Sequence, residues 1–137
     1  MAKTYAVTGG AGFIGSHIAE RLLRDGHTVR IMDNLITGKQ ANLKLLTGNV
    51  EYYNVSITDL EALRPIFKDV DVVFHHAALA SVPLSIENPL LSHEHNATGT
   101  LNVLVAARDA GVRRVVYAAS SAAYGNDASE QQVETAT

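Results

Sequence analysis

The 137 residues predict an α/β fold: a doubly wound parallel sheet covered by helices on both faces, three layers deep, with strand order 3-2-1-4-5. Two observations predict it. Five short runs rich in Val, Ile and Tyr alternate with stretches of helical apolar spacing, and the first run passes into the first helical stretch through a glycine-rich turn, Thr8-Gly9-Gly10-Ala11-Gly12-Phe13-Ile14-Gly15. Right-handed crossovers between successive parallel strands then give the order, with the strand carboxyl ends and their loops along one edge.

Residues 4–8 read as strand one, and a helix from about residue 12 stops at Asp25-Gly26. Strand two is 28–32. A polar loop over 33–39, a short helix to Leu46 and a turn at Gly48-Asn49 lead to strand three at 50–55. Thr58 or Asp59 is placed to cap a helix over 60–67, which Pro65 predicts to end early. Strand four is 70–75, followed by a loop over 77–89 and a long helix over 90–110 that Gly111 stops. Strand five is 114–119. Residues 126–137 are polar with no strand period, so the expected division is one domain over 1–125 and a polar tail over 126–137.

The glycine turn has the form of a phosphate cradle. Gly9 can take a conformation closed to residues with a Cβ, Gly12 leaves room for a diphosphate against the main chain, and Gly15 lets the helix lie close to the strand. The free amides and the positive end of that helix face the anion. The spacing alone fits any strand-turn-helix; a buried strand before it, an amphipathic helix after it and Asp33 just past strand two point to a dinucleotide. Asp33 can accept from both hydroxyls of the adenosine ribose and repel a 2'-phosphate, which favours NAD over NADP, although an ordinary loop acid is the alternative and the nearby Lys39 softens the preference. Asp33-Asn34, Ser56-Ile57, residues 77–81 and Ser120-Ser121 fall on the same edge as the glycine loop, so five loops agree on one site.

Composition sets limits. Hydrophobic residues make up 47% and charged residues 18%, enough for one domain with a core. A net charge of -3 offers no broad basic field, so nucleic acid is not an expected partner. The absence of cysteine excludes disulfides, thiolate catalysis and cysteine-ligated zinc. No apolar run is long enough to span a bilayer, so no membrane partner is expected and the cytoplasm is the expected location. No metal is expected either: His93 and His95 lie two apart on a helix and His75 and His76 are adjacent on a strand, so neither pair shares a face.

Three stretches, residues 8–17, 75–83 and 117–125, together resemble the extended short-chain dehydrogenase/reductases, and within them the NAD-dependent sugar-nucleotide epimerases and dehydratases. The resemblance runs from Tyr5 to about Gly125, and the second and third stretches are most similar to 4-epimerases of UDP-glucose or UDP-N-acetylglucosamine. It implies a Rossmann-type domain and a reaction that passes hydride through a transient 4-keto sugar nucleotide. It places the cofactor diphosphate at Gly9, Gly12, Phe13, Ile14 and Gly15, the adenosine ribose at Asp33 and Asn34, and the loop beyond at Thr37 and Gly38. Ser56 and Ile57 fall at the adenine, and Ala77, Ala78 and Ala80 at the nicotinamide. Asn96 matches an asparagine that braces neighbouring strand ends, with a merely solvated helix residue as the alternative. Ser120, with Ser121 beside it, matches the active-site hydroxyl, which can hydrogen-bond the sugar oxygen as its proton leaves; a strand-end serine capping a turn is the alternative.

Two departures from the family pattern matter. Ser56 stands where the family usually has an acid that accepts from the adenine amino group, and a serine accepts without charge assistance. The family's tyrosine followed four positions later by a lysine, which lowers the phenol's pKa so that it acts as base, is missing: Ala128 follows Tyr124 at that distance, and no lysine follows Lys68. The expectation for this chain is therefore NAD binding with little or no turnover, as an epimerase-like portion that stops before the last strands and the sugar-binding lobe. A non-catalytic NAD-sensing or scaffold protein and a fragment of a sugar-nucleotide dehydratase or reductase are the other readings. Leu101, Val103, Leu104, Val105, Ala106 and Ala107 on the long helix further predict self-association.

Overall fold

The computed structural model describes residues 2–125 and Val133; the tail expected over 126–137 otherwise lies outside the described residues. The chain folds as β1 (Thr4–Thr8), α1 (Phe13–Arg24), β2 (Thr28–Met32), α2 (Gln40–Leu43), β3 (Val50–Tyr53), α3 (Leu60–Phe67), β4 (Val72–His75), α4 (Val82–Glu87), α5 (Pro89–His93), a π-helical turn (Glu94–Thr98), α6 (Gly99–Asp109) and β5 (Arg114–Tyr117), ending in a 3-10 turn (Ser121–Tyr124). The strands form one parallel sheet in the order β3-β2-β1-β4-β5, as the crossover rule requires. β1 is central, its Ala6 opposite Arg30 of β2 and Val73 of β4.

Alternation along the strands supplies two cores. Ala6, Met32 and Val73 pack with Leu63, Phe67, Val103 and Ala106 on the side of α3 and α6, and Val7, Val29 and Ile31 pack with Ala19 and Leu23 beneath α1. Asp59 caps α3 by accepting from the Ala62 amide at 3.0 Å, and an Arg64–Asp109 ion pair of 2.6 Å joins α3 to α6. Among the described residues no helix is long and apolar enough to cross a membrane, and no group of three or more His, Asp or Glu side chains is placed to hold a metal.

Four details differ from the sequence expectation. α3 runs over the expected Leu60–Phe67, and only the early end at Pro65 fails, because Leu63, Ile66 and Phe67 are buried and their packing outweighs the one backbone hydrogen bond that proline cannot make. β3, β4 and β5 are shorter than their apolar runs, since the last β2–β3 pairing is Met32 with Tyr53, the first β1–β4 pairing is Tyr5 with Val72, and β5, expected over 114–119, last pairs at Tyr117 with His75. The loop expected over 77–89 contains α4, started by the Ser81 hydroxyl accepting from the Leu84 amide at 3.3 Å. The long helix is not uniform: the Gly99 amide reaches the carbonyl of Glu94, five residues back, and inserts a π turn between α5 and α6.

Candidate functional site

The site is built where the β1 carboxyl end, the loop after β2 and the loop after β4 meet. Gly9 takes φ +68°, and a Cβ there would lie 2.7 Å from the Ala77 amide nitrogen and from the His76 carbonyl carbon, so the glycine turn can touch the β4 loop only as glycine. A Cβ on Gly15 would overlap the carbonyl oxygen of Gly9, and its absence lets α1 begin directly against the turn. No side chain caps α1 at Gly12, and its first turn carries no acid, so its positive end is left for an external anion.

Asp33 is buried at 8% exposure and ties two loops together. Its Oδ2 accepts from the Ala11 amide at 2.9 Å and its Oδ1 from the Leu35 amide at 2.8 Å. Leu35 takes φ +61° to make that bond, and Gly38 packs so closely that a Cβ would come 2.7 Å from Oδ1. Each carboxylate oxygen keeps a further lone pair, so accepting from two ribose hydroxyls remains within its capacity. The Tyr52 hydroxyl donates to the Asp33 carbonyl at 3.0 Å; burial, followed by the Asp33 charge, holds the Tyr52 pKa above its ordinary value.

A buried polar chain fixes the loop after β4. Thr8 Oγ1 accepts from the amides of His76 and Ala77, both at 3.2 Å, which leaves its proton for His75 Nδ1 at 2.7 Å. His75 Nε2 therefore carries the ring proton and donates to Thr100 Oγ1 at 3.0 Å, and Thr100 donates to the Asn96 carbonyl at 2.7 Å. Burial, and then the neighbouring His76, lower the His75 pKa to about 4, so the ring is neutral near pH 7. Burial also lowers the His76 pKa. Asn96 completes the brace, accepting from the Leu79 amide at 2.8 Å and donating to the Leu79 carbonyl at 3.1 Å.

These elements enclose one cleft. Gly9, Gly12, Asp33, Asn34, Thr37, Ser56, Ile57, Ala77 and Ala78 line it, nine of the positions the sequence singles out. Phe13 and Ile14 do not: their side chains are exposed, at 78% and 58%, and Phe13 lies against the His17 ring, so only their main chain belongs to the turn. Gly15 and Gly38 shape the cleft from behind without lining it, and Ala80 and Asn96 lie outside the lining, Asn96 as the brace on Leu79. Ser120 and Ser121 also lie outside it, past β5, where Ser120 Oγ caps the 3-10 turn by accepting from the Ala122 amide at 3.2 Å. The lining further includes Met32, Ile36, Val55, His76, Leu79 and His95, none of which the sequence reading assigns a cofactor contact; it names His76 and His95 only to set them aside as metal ligands. His76 and Leu79 belong to the stretch that carries the family resemblance, so a reading of every position in that loop would have found them; His95 depends on where the π turn brings its helix.

A family model described as the NAD dependent epimerase/dehydratase family matches residues 5–137. Among curated relatives, the UDP-N-acetyl-alpha-D-glucosaminuronate decarboxylase of Bacillus cytotoxicus is 42% identical over 125 residues, which cover 91% of this chain and 39% of that protein. The UDP-glucuronate 4-epimerase of Thermodesulfobacterium geofontis is 40% identical over 129 residues, covering 88% of this chain and 40% of that protein. Among solved structures, the Thermus thermophilus UDP-glucose 4-epimerase in complex with NAD superposes with a TM-score of 0.85 at 41% identity, over 96% of this chain and 42% of that one. The chain thus spans about two fifths of the length of the relatives it matches. With a match over residues 5–137, and with the strand order and glycine cradle seen in the fold, the chain belongs to the NAD-dependent epimerase/dehydratase family.

Proposed function

We propose that this chain forms the NAD-binding part of a UDP-sugar 4-epimerase-like protein. The observation that carries the reading is the convergence of an uncapped helix start, the open face of Gly12 and the Asp33 carboxylate on one cleft. The residues fit the cofactor. A Cβ on Gly12 would meet only the Gly9 carbonyl, at 3.1 Å, so the space above the turn is free for a diphosphate. Asp33 would hold the adenosine ribose, and its charge would repel a 2'-phosphate. Ile36, Val55, Ile57 and Leu79 offer an apolar slot for a flat ring, and Ala77 and Ala78 leave room for close approach at the other end.

When bound, NAD supplies the acceptor and donor of hydride for the sugar carbon. The chain's own residues bind and orient it, and the Thr8–His75–Thr100 hydrogen bonds hold the β4 loop in place beneath it. Ser120, whose oxygen already accepts from Ala122, retains its proton to donate to a sugar oxygen. The 137 residues contain no tyrosine followed four places later by a lysine, so this chain alone is proposed to bind NAD with little or no turnover, and UDP-sugar binding belongs to the fuller length of the relatives. A thermal melt tests the reading: NAD at millimolar concentration should raise the Tm and NADP should raise it less. Equal melting with and without NAD would reject it.

A further inference from the structure

Ala11, in the middle of the glycine turn, is fully buried, and the segment after β2 holds both of its backbone polar groups. Its amide donates to Asp33 Oδ2 at 2.9 Å. Its carbonyl uses both lone pairs, accepting from the Lys39 amide at 3.0 Å and from Asn42 Nδ2 at 2.8 Å. Asn42 comes from α2, a helix of four residues with no buried side chain. Its place is nevertheless set: its amide donates to the Lys39 carbonyl at 3.0 Å, and the adjacent Leu43, with Leu46, packs on the core beneath α1. Gly38 closes the contact, since a Cβ there would come 2.8 Å from the Ala11 Cβ.

The two groups of Ala11 belong to different peptide planes. The amide lies in the plane shared with Gly10, which Asp33 holds, and the carbonyl lies in the plane shared with Gly12. Asn42 and Lys39 hold that second plane, and because it is rigid they also fix the Gly12 amide, which donates to the Gly9 carbonyl at 3.1 Å. The chain then enters α1 with the amides of Phe13 and Ile14, which at the first two helical positions have no acceptor within the helix. The direction of those amides follows from the plane before them. Asn42 itself lies outside the cleft lining.

We infer that Asn42 is a positioning residue for the cofactor diphosphate: it holds the Ala11–Gly12 peptide plane so that α1 offers its first amides to the anion. The inference rests on the NAD-binding reading above. It separates two parts of the ligand, because Asn42 acts on the groups that meet phosphate and not on the Asp33 carboxylate that meets the ribose.

Titration of the isotope-labelled chain with NAD, ADP and adenosine, followed by the amide signals in nuclear magnetic resonance, tests it and reads weak as well as tight binding. Asn42→Ala should weaken NAD and ADP about fivefold each, as loss of one hydrogen bond would, and leave adenosine, which carries no phosphate, within about twofold. Unchanged affinity for NAD and ADP, or an equal loss for all three ligands, would overturn the inference. Should adenosine not bind the unsubstituted chain, the ligand-free spectra decide: Asn42→Ala should displace the Gly12, Phe13 and Ile14 amide signals, and signals left in place would overturn the inference. If Asn42→Ala does not fold, Asn42→Leu, which is close to asparagine in size and has no donor, decides by the same comparison. Absence of NAD binding to the folded, unsubstituted chain would instead reject the underlying reading.

Discussion

Asp33 joins two loops with one carboxylate, and the proposed function gives it a ribose to hold as well. It accepts from the Ala11 and Leu35 amides, which joins the glycine turn to the loop after β2, and it stands in the cleft where a ribose would lie. Asp33→Asn leaves one acceptor oxygen for two amides and removes the charge, so NAD affinity should fall about tenfold or more while the preference over NADP shrinks; competition binding with both nucleotides measures this. Gly15 has no such tolerance. Gly15→Ala forces a methyl into the Gly9 carbonyl, and denaturant unfolding should show a loss of about 1–3 kcal/mol together with lost NAD binding.

His75 gives the pH dependence its sign. Its folded-state pKa of about 4 lies below the ordinary value of 6.5, so the unfolded chain takes up the proton first as pH falls. The contribution of the neutral ring is fully present above about pH 6.5, declines as the pH drops toward 4 and levels off below it. The maximum loss is on the order of 3 kcal/mol, since every tenfold change in proton affinity between the folded and unfolded chain corresponds to about 1.4 kcal/mol. His75→Asn should be less stable at pH 7 and show a shallower decline between pH 6.5 and 4; urea titrations at several pH values would contradict the assignment if the two slopes matched.

At the scale of elements, the strands, α1 and α3 were legible because each carries a complete local pattern: apolar runs for the strands, Gly12 and Asp25-Gly26 at the ends of α1, Asp59 ahead of α3. α4 and the π turn were not. α4 is six residues long with no buried side chain, so its start at Ser81 had no apolar period to announce it. The π turn follows from the fit of Gly99 on Ile57 and the grip of Asn96 on Leu79, both tertiary contacts. α6 buries Val103, Ala106 and Ala107 and leaves Leu101 and Leu104 exposed at 59% and 45%. We propose that this outer stripe meets a second copy of the chain. Sedimentation should show concentration-dependent association that the double variant Leu101→Lys, Leu104→Lys abolishes, and a monomer at high concentration would contradict it.

For the whole molecule, topology explains why so much of the site could be read in advance. In a parallel sheet with this order, every strand delivers its following loop to one edge, so Gly9, Asp33, Ser56 and Ala77 share a cleft although they lie far apart in the sequence. The contribution of His95 was hidden because it depends on how closely α6 approaches the β3 loop, a distance set by Gly99 and Ile57. Ser120 is the reverse case: its place at the end of β5 was legible, and the structure engages its oxygen in a turn outside the cleft lining.

Most of these expectations depend on residues 1–137 forming a working NAD site by themselves. The decisive measurement is calorimetric titration of the folded 137-residue chain with NAD, with NADP as the comparison. One NAD should bind per chain, at least about tenfold more tightly than NADP, as a single charge-assisted discrimination would give. A folded chain that takes up no NAD, or that binds both nucleotides equally, would contradict the proposed role of the cleft.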